Sequence, residues 1–125
     1  MINSFNNHFK SICENLSTDK KKFVLGLSGG LDSMALLNLL HNFKINYNDF
    51  NLEIFPIIID HGLRANSSYE ADKVKIIANK LGFSTVIKKI SGNRPNGNIQ
   101  NWARKNRRNL LCESSFELNA NLLLA

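Results

Sequence analysis

Ser28-Gly29-Gly30-Leu31-Asp32-Ser33 places two glycines, two hydroxyls and a carboxylate in six consecutive positions. Glycines let a backbone turn sharply and approach a ligand closely. If a helix begins at once, its free N–H groups and positive dipole end face the turn. Ser28 and Ser33 add hydroxyl donors. Such a stretch is a phosphate cradle. No Gly-Lys-Ser/Thr follows, so it is not a Walker A loop, and it is not GxGxxG. Asp32 is out of place in a pure anion site. A carboxylate beside phosphates points to a bridging Mg²⁺. The plainer alternative is a strand–turn–helix junction that Asp32 caps.

Two further stretches carry chemistry. Asp60-His61-Gly62-Leu63-Arg64 follows an apolar run. His61 can hydrogen-bond a nucleotide or substrate, and Asp60 can orient a donor or a metal-bound water. The alternative is that both only fix the turn. Arg64 is a phosphate contact or a surface charge. The third stretch is basic. Residues 88–112 hold Lys88, Lys89, Arg94, Arg104, Lys105, Arg107 and Arg108 and no acid, so they carry +7 of a net charge of +6. The rest of the chain sums to −1. A polyanion partner or a solvated helix face explains this equally well. Arg104 and Arg107 are the candidates for anion contacts.

These groups need elements to hold them. Ile2, Phe5, Phe9, Ile12 and Leu16 recur at helical spacing, and Ser17-Thr18-Asp19 ends that helix. Phe23–Leu27 reads as a buried strand. Asp32–His41 reads as a mostly apolar helix, and 42–52 as an Asn-rich loop. Ile54–Ile59 is a second strand with Pro56 near its start. Ser67-Ser68-Tyr69-Glu70 reads as a capping box. The helix it opens carries Ala71, Val74, Ile77, Ala78 and Leu81 on one face, with Gly82 as its C′ residue. Ser84–Lys88 is a third strand and 91–98 a turn-rich loop. Asn98 caps a helix from Ile99 to about Leu118. Its inner face is Ile99, Trp102, Ala103, Asn106 and Leu110, with Arg104, Arg107 and Arg108 beside it. Trp102 reads as core rather than a stacking platform, and Cys112 as a small core residue. Asn121–Ala125 is a fourth strand.

Strand–helix alternation predicts an α/β fold, a parallel sheet with helices on both faces. Ligands then bind beyond the carboxyl ends of the strands, where the strand order switches. At 125 residues the chain reads as one domain with a real core. Its 43% apolar content excludes a disordered tail, and no stretch approaches a bilayer span. The N-terminus lacks the apolar region of a secretory signal. Cys13 and Cys112 form no CxxC, so a reduced, cytoplasmic compartment is expected. The sequence stops at an apolar strand and so reads as a truncated piece of a longer protein.

SGGLDS resembles the PP-loop of the N-type ATP pyrophosphatases. These include GMP, NAD, argininosuccinate and asparagine synthetases and several tRNA-modifying enzymes. DHGLR followed by Ser67, Glu70 and Ala71 resembles the tRNA(Ile)-lysidine synthetases. So do Asn98-Ile99-Gln100 and then Ala103-Arg104 and Arg107. Arg108 stands where that family has Tyr. The resemblance spans nearly all of residues 20–125.

The resemblance implies a PP-loop ATPase fold of the adenine nucleotide alpha hydrolase kind. Residues 1–125 would be an N-terminal ATP-binding domain, cut after the fourth strand, with an amphipathic helix at 1–19 and a nucleotide-binding core at 20–125. It implies that ATP binds through Ser28, Gly29, Gly30, Leu31, Asp32 and Ser33, with Mg²⁺ on Asp32. Asp32, Asp60, His61, Arg104 and Arg107 would be the catalytic set. The C2 oxygen of the wobble cytidine of an isoleucine tRNA (CAU anticodon) would attack the α-phosphate. Free L-lysine would then displace AMP to give lysidine. The longer parent could form a homodimer. No general base stands out in this chain, so the piece alone would not complete the reaction. A tRNA 2-thiolation enzyme and a non-catalytic nucleotide-binding module are the alternatives.

Overall fold

The apolar run expected to be a buried strand is the second strand in from one edge of a four-stranded sheet. The computed structural model describes residues 2–15, 21–28, 31–47, 51–63, 65–90 and 94–123, with only the backbone of Leu31, Asp32 and Leu123. The elements are α1 (Ile2–Asn15), β1 (Lys21–Leu27), α2 (Leu31–Asn46), β2 (Leu52–Asp60), α3 (Ser67–Lys80), β3 (Val86–Lys89), α4 (Ile99–Glu117) and β4 (Asn121–Leu123). The strands are ordered β3-β2-β1-β4, and every pairing is parallel. The chain moves from β1 outward through β2 to β3, then returns past β1 to β4. Right-handed crossovers then place α4 on the opposite face from α2 and α3.

The core follows that division. Phe23, Leu25 and Leu27 of β1 join Leu37, Leu40, Phe43, Ala71 and Ala78 on one face. Val24 and Ile57 meet Leu111 of α4 on the other. This alternation along β1 is the two-residue period of a strand buried on both sides. Phe9 of α1 closes the first core, its ring 5.2 Å from Phe23 and 4.8 Å from Phe43. Among the described residues, no helix is long and apolar enough to cross a membrane.

Several local expectations change. Helix α2 runs on to Asn46 instead of stopping at His41, because Phe43 is fully buried and Tyr47 stacks on it. Tertiary burial overrides the loop-like asparagines. Pro56 lies in the middle of β2, opposite Leu25. The β3 ladder begins only at Ile57, so Pro56 needs no donor on that flank. Strand β3 starts at Val86 rather than Ser84, since the Thr85 N–H donates to Asn79 Oδ1 at 3.3 Å. Ile77 is 45% exposed and does not join the inner face of α3. Gly82, at φ +92°, does close that helix, with Phe83 N–H donating to Ala78 O and Gly82 N–H to Asn79 O. Cys112 is exposed rather than core, whereas Cys13 is buried. Burial pushes the Cys13 thiol up, with Lys21 opposing and Glu14 adding.

The buried stripe of α4 also differs from the expected one. It runs through Leu111 and Ser114, with Ile99 38% exposed and Trp102, Ala103, Asn106 and Leu110 only half-buried. Helix α4 packs on β1 through Gly26. A Cβ there would lie 2.6 Å from Leu111 Cδ1 and 2.8 Å from Arg107 Nη2, so a larger residue would force both side chains to shift. Leu16, Ser17-Thr18-Asp19, residues 91–93 and the end of the fourth strand at 124–125 lie outside the described residues.

Candidate active site

The carboxyl ends of β1 and β2 and the start of α3 enclose a cavity that α4 reaches from the other face. Its lining includes Leu27, Ser28, Asp60, His61, Ser67, Glu70 and Arg107. The strand order reverses beside β1, so this cavity lies next to the switch point.

β1 ends at Leu27 and α2 begins at Leu31, so the stretch expected to cradle phosphate lies between a strand end and a helix start. The hydroxyls of Ser28 and Ser33 are 2.9 Å apart and tie the end of β1 to the first turn of α2. Ser33 is buried and Ser28 exposed. Gly29 and Gly30, and the side chains of Leu31 and Asp32, lie outside the described residues, as does Arg64.

Asp60 is the last residue of β2 and is only 4% exposed. The N–H of Gly62 donates to its Oδ1 at 3.0 Å, and the Ser68 hydroxyl donates to its Oδ2 at 2.7 Å. Burial pushes its carboxyl up. The hydrogen bonds from Ser68, Ser67 and Gly62 and the charge of Lys89 outweigh this and hold it below the usual range. The hydroxyls of the expected capping box are thus turned to Asp60. Asn66 is the N-cap of α3 and makes no side-chain cap bond; Ser67 and Ser68 serve Asp60 instead. Asn98 likewise precedes α4 in a left-handed conformation, without a side-chain cap bond.

His61 is half-buried at the cavity wall. The N–H of Leu63 donates to its Nδ1 at 3.1 Å. Nδ1 is thus the acceptor, and in the neutral ring Nε2 carries the proton. Gly62 between them sits at φ +64°, a turn that suits glycine. Its carbonyl accepts a hydrogen bond from Arg94 Nη2.

Arg107 and Arg104 part company. Arg107 lines the cavity, and its Nη2 donates to Gly26 O at 3.3 Å. Burial pushes its guanidinium below the usual arginine range, yet arginine stays charged near neutrality. Arg104 is exposed and is not among the lining residues. The structure thus brings Ser28, Asp60, His61 and Arg107 to one cavity, with Ser33 behind Ser28, and leaves Arg104 outside. Reading the sequence missed Gly26, Ser68 and Arg94 as supports. A glycine inside an apolar strand run was the available signal for the first; nothing local marks the other two.

A half-buried cation, hydroxyls at a helix start, a pinned carboxylate and a pinned imidazole gather at the strand ends of a doubly wound sheet, where α/β domains bind their ligands. Residues 1–125 match the family described as PP-loop domain, and the chain belongs to it. Relatives are named tRNA(Ile)-lysidine synthase. That of Bartonella quintana (strain Toulouse) is 35% identical over 106 residues, covering 83% of this chain and 22% of the relative. That of Rhizobium meliloti (strain 1021) is 32% identical over 103 residues, covering 82% and 23%. That of Wolbachia pipientis wMel is 34% identical over 117 residues, covering 93% and 27%. The chain thus spans about a quarter of the length of these relatives. The U34-tRNA thiolase NcsA from Methanococcus maripaludis, solved with its 4Fe-4S cluster, shares the fold. The TM-score is 0.71 at 21% identity, over 86% of this chain and 39% of that one.

Proposed function

We propose that this chain is the ATP-binding domain of an enzyme that joins lysine to the wobble cytidine of an isoleucine tRNA. Membership of the PP-loop family and the relatives' shared name support ATP use and a tRNA substrate. The observation that carries the reading is the convergence of Ser28, Asp60, His61 and Arg107 on one cavity at the strand ends.

In this proposal the ATP phosphates lie on residues 28–33, and the half-buried positive charge of Arg107 offsets negative charge developing on them. The cytosine C2 oxygen attacks the α-phosphorus and pyrophosphate leaves. The neutral ε-amine of lysine then adds at C2, AMP departs, and the amine gives up a proton. Asp60 is a positioning residue: its oxygens already accept Gly62 N–H and the Ser68 hydroxyl, and they fix the turn that carries His61. The ring's Nε2–H can then donate to a nucleotide or base oxygen. Among the described residues no group of three His, Cys, Asp or Glu could hold a metal. Asp32 is the residue that would hold a Mg²⁺ beside the phosphates, and the ion would neutralise phosphate charge.

Within this chain the two cysteines do not share a site: Cys13 is buried with α1 on one face of the sheet, and Cys112 is exposed on α4 over the other.

Two measurements test the proposal. Fluorescent ATP should bind the chain and be displaced by unlabelled ATP. A protein carrying this domain at the length of its relatives should transfer labelled lysine to isoleucine tRNA bearing a CAU anticodon, with AMP and pyrophosphate released in equal amounts. ATP cleavage without label on the tRNA would overturn the lysine reading.

A further inference from the structure

Charge on α4 is divided along its length. Arg104, Lys105, Arg107 and Arg108 stand in its first part, Glu113 and Glu117 in its last. The first turn holds no acid and the last turn no base. The helix dipole favours the opposite arrangement, so helix stability does not explain it. Ion pairing does not explain it either. Among the described residues, no carboxylate pairs with Arg104, Lys105 or Arg108, and all three are exposed.

The position of this charge is specific. Helix α4 crosses back over the sheet from the carboxyl-end side, and Arg107 already touches Gly26 near the end of β1. The turns before Arg107 therefore overhang the strand ends. Arg104 shows this directly. It stands seven residues, two helical turns, before Leu111, which is fully buried, yet Arg104 is exposed. Between Gln100 and Asn109 the exposed residues are Gln100, Asn101, Arg104, Lys105, Arg108 and Asn109. That surface has no apolar anchor of the kind that centres a protein–protein interface. Unpaired cations among amides suit a phosphate backbone.

We infer that Arg104, Lys105 and Arg108 form a track for the phosphate backbone of an RNA strand, leading to the cavity of Ser28, His61 and Arg107. The inference rests on the tRNA-modifying reading above. It assigns the arginines of α4 two tasks: Arg107 faces the reacting phosphates, and its neighbours hold the polymer.

The test is binding of an RNA stem-loop with an unpaired loop, followed by fluorescence anisotropy across a KCl series. The protein is compared with its Arg104→Gln/Lys105→Gln/Arg108→Gln variant. Each lost phosphate contact removes about 0.7 from the slope of log affinity against log salt on a single strand. The slope should therefore become shallower by about 2. Fluorescent ATP should bind the variant as it binds the parent, and circular dichroism should be unchanged. An unaltered slope with ATP binding intact, or RNA that does not bind the parent at all, overturns the track and spares the nucleotide site. Failure of the parent to bind ATP defeats the functional reading itself.

Discussion

Arg107 on α4 and Gly26 in β1, 81 positions apart in sequence, meet through a 3.3 Å hydrogen bond from Nη2 to the glycine carbonyl. A cation is thereby drawn through a gap in the sheet's side-chain cover to the strand end. Gly26 makes the gap, and Leu111 fills what the guanidinium leaves.

Gly26→Ala should therefore cost both stability and function. The new methyl would meet Leu111 Cδ1 at 2.6 Å and Arg107 Nη2 at 2.8 Å. Overpacking of this kind costs about 1–3 kcal/mol. Urea unfolding should show a lower midpoint with the same slope, and ATP affinity should fall because Arg107 is displaced.

Leu111→Ala should open the same contact from the other side. Leu111 is fully buried and is the helix's anchor in the second core. Loss of a buried leucine costs about 2–5 kcal/mol. Chemical denaturation measures it.

Arg107→Gln should keep the fold and weaken ATP. A charge-assisted bond contributes about 1.5–3 kcal/mol, which is roughly 10- to 150-fold in affinity. Titration with fluorescent ATP should show that loss while the unfolding midpoint moves little, since the bond to Gly26 is long.

Asp60→Asn should change how stability depends on pH. The folded-state pKa of Asp60 is lowered, so its contribution is complete above the ordinary carboxylate value of about 3.9 and is lost as pH falls through the folded value. Unfolding free energies of the parent and Asp60→Asn should differ by a constant amount above about pH 5 and converge below about pH 4. A gap that widens on acidification would contradict the assignment.

Strands and crossovers were legible because burial on both faces writes β1 and β2 as apolar runs, and alternation with helices leaves one handed path between them. The helix after the SGG turn was legible only to His41. Its last turn is held by Phe43, whose burial depends on Phe9 and Phe23 far away in sequence. The serines at 67 and 68 have the spacing of a capping box, but a carboxylate arriving from β2 takes their hydroxyls. On α4 the periodicity pointed to Trp102 and Asn106, while the contact at Gly26 turns Leu111 and Arg107 inward. Among the residues lining the cavity, Asp60 and His61 were legible from their place at a strand end, and Ser28 from the glycine-rich stretch that follows β1. Separating Arg107 from Arg104 required knowing where the sheet stops beneath the helix.

Gly62 is gripped at both polar groups by different parts of the chain: Asp60 holds its N–H, and Arg94, from beyond β3, holds its carbonyl. The turn that carries His61 is thus tied both to the end of β2 and to the stretch that follows β3. Removing either Asp60 or Arg94 would leave that turn held from one side only.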